Sequence, residues 1–200
     1  MNETLKRIIS GIIYISIMWF GTYYFKILLF TILGIFSIYE MYSLRKEKSK
    51  ILSLLYITIP FLIIHKIPDN VILFMFILTW TFDTFAYLIG SKFGKNKILS
   101  IISPKKSWEG FFGGFAFTMI ASYLTYKYFF KYEDFKLILI ISISLPFTAT
   151  IGDFISSYYK RKAKVKDSGN LIPGHGGVLD RMDAFTISIP MIYILINIIK

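Results

Sequence analysis

Seven apolar stretches restrict what this chain can fold into more than any other feature of its sequence. They cover residues 8–25, 27–44, 51–64, 71–90, 110–126, 137–155 and 184–199. A helix that crosses a lipid bilayer needs about 20 consecutive apolar residues, and most of the stretches approach that length. The segments between them are too short for a soluble catalytic domain. The sequence therefore predicts an all-α fold, a polytopic integral membrane helical bundle of about seven transmembrane helices that forms a single domain over residues 1–200.

The composition is that of a chain surrounded by lipid. Hydrophobic residues make up 55% of the 200 residues and charged residues 18%, whereas soluble domains contain about 25% charged residues. There is no cysteine, which excludes disulfides, thiol catalysis, iron–sulfur clusters and thiolate zinc sites. The only histidines are His65 and His175, so we do not expect a histidine-based metal centre.

The basic residues predict which ends of the helices face the cytoplasm. Cytoplasmic loops of membrane proteins carry an excess of Lys and Arg. Most of the 23 Lys and Arg residues lie before the first stretch or in the loops after the second, fourth and sixth stretches. This distribution predicts a cytoplasmic amino terminus, an uncleaved first helix and a multi-pass protein. The short third stretch, which contains Pro60, is retained as a tilted or partly embedded helix, because without it the later loops would change sides.

Two polar loops, 91–109 and 156–183, fall on the predicted cytoplasmic face and are separated by one helical hairpin. We therefore expect them to form one site. In the second loop, Gly174, Gly176 and Gly177 would let the backbone approach a phosphate and direct amide N–H groups at it. The cations suited to a polyphosphate in this loop are Lys160, Arg161 and Lys166.

Three aspartates border the second loop. Asp153 stands at the inner end of the sixth stretch, and an acid there is costly and usually functional. Asp180 and Asp183 are three residues apart and share a face of the helix that they begin. Ser157 and Lys160 lie on the same face as Asp153 if its helix continues past the boundary. Carboxylates among cations and glycines suit Mg²⁺ that bridges phosphate oxygens.

Most of these residues also have a structural interpretation. Basic residues beside a span commonly determine topology, and Lys105 and Lys106 could be anchors at the membrane interface. Asp180 and Asp183 could be first-turn acids favoured by the helix dipole. His175 alone would more often be a hydrogen-bonding loop residue than a metal ligand.

Two further acids lie within or beside apolar stretches. Asp83, in the fourth stretch, gives the clearest intramembrane signal after Asp153. Glu40 stands near the inner end of the second stretch and could simply reach water.

The polar motif of the second loop resembles the signature of the phosphatidate cytidylyltransferases, also called CDP-diglyceride synthases. The matching positions, in the order and spacing of that family, are Ser157, Lys160-Arg161, Lys166-Asp167, His175-Gly176-Gly177 and Asp180-Arg181-Met182-Asp183. Segments 83–87 and 103–110 also resemble family motifs, with Ser107 where Thr is common. Tyr159 replaces the usual aliphatic residue or Phe. The resemblance is specific over about residues 80–183, the motif-bearing catalytic half, and the family's N-terminal half is usually longer.

The resemblance implies a reaction in which CTP and phosphatidic acid give CDP-diacylglycerol and pyrophosphate in phospholipid biosynthesis. It also implies Mg²⁺ as cofactor and a bacterial cytoplasmic membrane as the location, among membrane lipids, and it leaves open a second cation and a homodimer. The implied catalytic residues are Asp153, Ser157, Lys160, Lys166, Asp167, His175, Asp180, Arg181 and Asp183. The implied substrate-binding residues are Lys105, Lys106, Ser157, Lys160, Arg161, Gly176, Gly177 and Asp83, and the implied metal ligands are Asp153, Asp180 and Asp183.

Two other kinds of function are alternatives. A related CTP-dependent lipid enzyme, such as a CDP-archaeol synthase or a polyprenol kinase, would carry a similar polar motif. A proton- or ion-coupled transporter would use Asp83 and Asp153 near the middle of the membrane. The transporter is disfavoured because the polar residues are concentrated in two loops on one face. Nucleic acid is not an expected partner, because the cations follow the topology.

Overall fold

The computed structural model of this protein describes residues 3–44, 50–129, 134–172 and 176–199. Its elements are α1 (Glu3–Leu44), α2 (Lys50–Ile63), a 3₁₀ turn (Ile64–Lys66), α3 (Asp69–Phe93), β1 (Lys97–Leu99), β2 (Ser103–Ser107), α4 (Trp108–Phe129), α5 (Phe135–Lys162), α6 (Leu179–Met182) and α7 (Phe185–Ile199). Among the described residues, four segments are long and apolar enough to cross a membrane, namely Ile9–Leu44, Asp69–Phe93, Phe135–Lys162 and Leu179–Ile199. The predicted helical membrane architecture is therefore confirmed.

α1 is interrupted at Phe25, whose backbone angles of φ −137° and ψ 34° are not helical. The position of Gly21 shows that the chain reverses there: a Cβ atom added to Gly21 would lie 2.9 Å from the Leu29 side chain. Residues eight positions apart in a straight helix are separated by about 12 Å along the axis. Tyr14 and Glu40, from opposite sides of the break, both contact the segment 178–182. The first two predicted spans are thus the two arms of a helical hairpin.

Lys26 ties this reversal to the connection between α2 and α3. Its ammonium lies 2.7 Å from Asp69 Oδ1 and donates to the Ile67 carbonyl oxygen at 2.6 Å. Lys66 lies beside the same connection, and its ammonium is 5.9 Å from the centroid of the Tyr193 ring.

α3 and α4 form a closely packed pair joined by an antiparallel β-hairpin. In its register Lys97 is opposite Ser107 and Leu99 is opposite Ser103. Pro104 lies within β2. Both strands of a two-stranded sheet are edges, where the missing N–H of proline is tolerated.

Glu109, at the start of α4, holds the beginning of this hairpin. Its carboxylate accepts hydrogen bonds from the backbone N–H groups of Lys95 and Asn96 at 3.1 to 3.2 Å. Hydrogen bonds lower the pKa of this carboxyl. The largest lowering comes from the backbone N–H of Glu109 itself, and the hydrogen bonds from Asn96 and Lys95 add to it. The connection is therefore an ordered element rather than the loop predicted for residues 91–109.

α5 packs between α4 and α7 through apolar residues and short polar contacts. The Ser122 and Ser142 hydroxyls are 2.5 Å apart, and those of Thr148 and Ser188 are 2.8 Å apart. Such contacts join helices where lipid offers no competing hydrogen bonds. α5 runs from these contacts to a carboxyl-terminal end that lies beside α6 and the β-hairpin.

Candidate active site

Three aspartates from two separate segments meet at one end of the bundle. The Lys160 ammonium on α5 donates to Asp180 Oδ1 at 2.7 Å and lies 3.7 Å from Asp183 Oδ2. Asp153, two turns earlier on α5, comes within hydrogen-bonding reach of Asp183. The Ser157 hydroxyl faces Asp153 Oδ1 at 3.4 Å. The predicted common face of α5 is confirmed, because this helix continues without interruption to Lys162.

Gly152 allows α5 to approach the junction between α6 and α7. A Cβ atom on Gly152 would overlap the Asp183 carbonyl oxygen and lie 3.0 Å from Thr186 Oγ1. Tyr56 on α2 donates a hydrogen bond to the Gly152 carbonyl oxygen at 2.8 Å, and its oxygen lies 2.5 Å from Thr186 Oγ1. The spacing between Asp153 and Asp183 is therefore set by a glycine and by a tyrosine from another helix.

Lys160 supplies a buried positive charge to the cluster. Only 6% of this residue is exposed, and a buried ammonium is stable only when it is paired. Its partners are the carboxylates of Asp180 and Asp183.

The β-hairpin contributes a second ammonium to the same place. Lys106 forms an ion pair with Asp153 and lies 5.2 Å from the centroid of the Phe154 ring. The two polar loops therefore meet, as the sequence predicted.

A cavity of about 200 Å³ adjoins this ion pair, between α3, α4, α5 and the hairpin. Its polar lining includes Asp83, Lys105, Lys106 and Ser107, and its apolar lining includes Phe82 and Phe111. Lys105 is exposed at this lining. Asp83, which the sequence singled out within an apolar span, thus opens onto the same cavity as the two lysines.

The remaining predicted residues lie on or beside the loop after α5. Lys166 and Asp167 are exposed, and Arg181 is half-buried. The Arg161 side chain donates to the carbonyl oxygens of Ile102 at 3.3 Å and Val165 at 2.9 Å. Arg161 thus ties this loop to the hairpin. Pro173, Gly174 and His175 lie outside the described residues, so the role predicted for His175 stays a prediction.

The glycine pair of the motif is arranged around Asp180. Gly176 has a φ of +85°, a conformation that other residues rarely adopt. The Gly177 N–H was expected to face a phosphate, but it donates to Asp180 Oδ2 at 2.9 Å. The Ser168 N–H donates to the same oxygen at 2.7 Å. These two amides fix the Asp180 carboxylate.

Glu40 is a residue of the site whose contacts the sequence did not reveal. The sequence left open that it simply reaches water, but only 3% of it is exposed. Its carboxylate accepts hydrogen bonds from Ser168 Oγ at 2.7 Å, Val178 N at 3.0 Å and Leu179 N at 2.9 Å. The available signal was an acid at the end of an apolar span, the same signal that pointed to Asp153.

The chemistry of the cluster fits Mg²⁺ in one respect. Its acidic groups supply only oxygen ligands, which this cation prefers. Among the described residues, however, no three acidic or histidine side chains are grouped as a metal site. Instead, the Lys106 ammonium forms an ion pair with the Asp153 carboxylate, and the Lys160 ammonium forms one with the Asp180 carboxylate. The metal-binding role of Asp153, Asp180 and Asp183 therefore stays a prediction.

Comparison with known proteins agrees with the motif. The model of the cytidylyltransferase family matches residues 49–199. The chain belongs to the cytidylyltransferase family. The family match includes every aspartate and lysine of the cluster, whereas α1, with Glu40, precedes it.

Relatives in the cytidylyltransferase family include proteins named phosphatidate cytidylyltransferase. One from Rickettsia bellii is 33% identical over 207 aligned residues, covering 94% of this chain and 88% of the relative. Another from Rickettsia typhi is 34% identical and covers 94% of this chain and 89% of the relative. One from Staphylococcus epidermidis is 36% identical over 149 residues, with 73% of this chain and 57% of the relative covered. The chain therefore spans little more than half the length of the Staphylococcus relative.

Proposed function

We propose that this protein transfers the cytidylyl group of CTP to phosphatidic acid and forms CDP-diacylglycerol and pyrophosphate. The observation that carries the proposal is the meeting of three aspartates with Lys106 and Lys160 beside a cavity at the inner end of a membrane bundle. Membership of the cytidylyltransferase family supports it, as do the names of the relatives. In the reaction a phosphatidate oxygen attacks the α-phosphorus of CTP. The new P–O bond forms as the bond to the bridging oxygen of the β-phosphate breaks, and that electron pair leaves with pyrophosphate.

The residues of the cluster suit this reaction because the nucleophile is already anionic. No strong general base is needed, and the barrier depends on alignment and on neutralising the charge of two anions. Lys106 and Lys160 provide fixed positive charges for phosphate oxygens. Asp153, Asp180 and Asp183 would hold Mg²⁺, which when bound supplies further neutralisation of the triphosphate and of the leaving pyrophosphate.

The cavity beside Lys106 is the proposed position of the phosphatidate headgroup. It combines the cations Lys105 and Lys106 with the apolar side chains of Phe82 and Phe111. This mixture suits a phosphate attached to a glycerol and acyl chains, and the cavity adjoins the Asp153 carboxylate through Lys106. Ser157, Arg161 and Gly176 are the proposed contacts of the nucleotide.

The proposed topology has seven crossings with the amino terminus in the cytoplasm. The crossing segments would be the two arms of α1, then α2, α3, α4, α5 and finally α6 with α7. In this topology the Lys26–Asp69 ion pair would lie at the outer end of the bundle, and the aspartate cluster would lie at the inner end. The further proposals are a bacterial inner-membrane location, surrounding membrane lipids as partners, a homodimer and a second cation.

A direct assay tests the proposed reaction. Purified protein in detergent micelles would receive phosphatidic acid, Mg²⁺ and CTP labelled at the α-phosphate. We expect labelled lipid and an equal amount of pyrophosphate, which carries no label because the α-phosphate goes to the lipid. Parallel reactions would contain an archaeal-type lipid phosphate or a polyprenol, and CTP labelled at the γ-phosphate would detect kinase activity. Folded protein that gives no labelled lipid with phosphatidic acid, or that phosphorylates the polyprenol, would contradict the proposal.

A further inference from the structure

Glu40 connects α1 to the loop that carries the signature motif. Its Oε1 accepts the Val178 N–H, and its Oε2 accepts the Leu179 N–H and the Ser168 hydroxyl. Val178 and Leu179 directly precede Asp180 in the chain. The Glu40 carboxylate therefore holds the backbone from which Asp180 projects.

Ser168 extends this connection to Asp180 itself. Its hydroxyl oxygen is 2.7 Å from Glu40 Oε2 and 3.0 Å from Asp180 Oδ2, and its backbone N–H also donates to Asp180 Oδ2. A hydroxyl group has one proton and so donates to one carboxylate at a time. Glu40 and Asp180 thus share one bridging residue, and a change at either carboxylate alters the hydrogen bonds of the other.

Two glycines of the loop leave room for the Glu40 side chain. A Cβ atom on Gly169 would lie 2.7 Å from Glu40 Oε1, and one on Gly177 would overlap Glu40 Oε2 and Ser168 Oγ. The absence of a side chain at Gly177 is therefore explained by Glu40, without any phosphate at this position. Glutamine could not replace Glu40 without loss, because in either orientation its NH₂ group would face a backbone N–H, that of Val178 or that of Leu179, and a backbone N–H can only donate.

We propose that Glu40 is a positioning residue, which acts through Ser168 and the 177–179 backbone to hold Asp180 in its catalytic position. This inference rests on the proposed function, in which Asp180 serves the bound triphosphate. It extends the site beyond the matched family region to an arm of α1.

The decisive experiment combines kinetics with a double-mutant cycle. We expect Glu40→Gln and Ser168→Ala each to lower kcat about ten- to a hundredfold, since small displacements of catalytic groups have effects of this size. In the double variant the two effects should not multiply, because the residues act through one connection. Glu40→Asp, with its charge kept, should recover part of the lost kcat. The matched control is Ser37→Ala on the same helix, because the Ser37 hydroxyl is buried and has no hydrogen-bond partner in the part of the chain that the structure describes.

A second measurement does not depend on activity. In hydrogen–deuterium exchange, Glu40→Gln should speed exchange at the Gly177, Val178 and Leu179 amides, and Ser37→Ala should leave it unchanged. If these amides exchanged as slowly in Glu40→Gln as in the wild type, the inference would be overturned. This holds even if the wild-type protein proved inactive. If the wild type is active, a normal kcat in Glu40→Gln would overturn the inference. Effects of Glu40→Gln and Ser168→Ala on kcat that multiply fully in the double variant would also overturn it. Either result would leave the proposed reaction intact.

Discussion

Asp180 has the most completely defined surroundings of the three clustered acids. Its carboxylate accepts hydrogen bonds from the Lys160 ammonium and from the backbone N–H groups of Ser168 and Gly177. Two fixed amides and a buried cation leave it little freedom to rotate, which suits a group that must act in one geometry. Asparagine has almost the same shape, so substitution there separates the role of the charge from that of the volume.

We expect Asp180→Asn to lower turnover by about a hundredfold or more, the usual effect of removing one electrostatic contact in an active site. The variant should fold, because Asp183 still lies beside Lys160. Labelled-lipid formation and the unfolding temperature would be measured together. Asp134→Asn is the control, because Asp134 caps the amino end of α5 and asparagine caps helices equally well. A near-normal rate in Asp180→Asn would remove this residue from the site.

Lys105 differs from its neighbour Lys106 in having an exposed side chain at the cavity lining. We expect Lys105→Ala to raise the KM for phosphatidic acid about two- to fivefold with little change in kcat, because an exposed charge pair contributes modestly. Initial rates over a range of phosphatidic acid would show this. Lys97→Ala, an exposed lysine on the adjacent strand, should leave the KM unchanged. An unaltered KM in Lys105→Ala would make Lys105 an interface anchor.

At this scale the sequence predicted which acids come close together better than it predicted what they contact. Asp153 and Asp180 could be singled out because acids are rare beside apolar spans and glycines. The partners of Glu40 could not, since two of them are backbone N–H groups and the third, Ser168, lies 128 positions away. The residue types in a sequence do not indicate which backbone N–H groups will donate to a given carboxylate.

The contact between α5 and the α6–α7 junction depends on Gly152. We expect Gly152→Ala to destabilise the protein by about 1–3 kcal/mol, the usual cost of overpacking, and to lower activity by separating Asp153 from Asp183. Thermal unfolding in detergent and the lipid assay would measure both. Gly11→Ala is the matched control, because nothing lies within 4 Å of a Cβ atom there. If both variants unfolded at the wild-type temperature, the close packing at Gly152 would be contradicted.

The elements were predictable where one periodicity continued over many residues. The common face of Asp153, Ser157 and Lys160 followed from helical spacing, and α5 has it. The hairpin of β1 and β2 was not predicted, since its strands are only 3 and 5 residues long and one contains Pro104. Its stability comes from contacts outside the strands, such as the Glu109 carboxylate, and these contacts require the folded chain.

The orientation of the whole molecule can be tested because the chain contains no cysteine. Single cysteines at Lys97→Cys, in the hairpin, and Lys136→Cys, at the outer end of α5, would be exposed to a thiol reagent that does not cross membranes. We expect labelling of Lys136→Cys in intact spheroplasts and labelling of Lys97→Cys only after permeabilisation. The reverse result would invert the proposed topology, and labelling of both from one side would contradict α4 as a crossing helix.

The contact between Glu40 and Ser168 has a consequence for biosynthesis. The ribosome adds about 5–20 residues per second, so roughly 6 to 26 seconds separate the two residues during translation, given the 128 positions between them. The two arms of α1 would enter the bilayer while Glu40 still lacks its hydrogen-bond donors from the segment 168–179. The contacts of Glu40 with Ser168, Val178 and Leu179 can then form only after these residues have been synthesised, and a nascent chain that stops before them would leave the Glu40 carboxylate without these three donors.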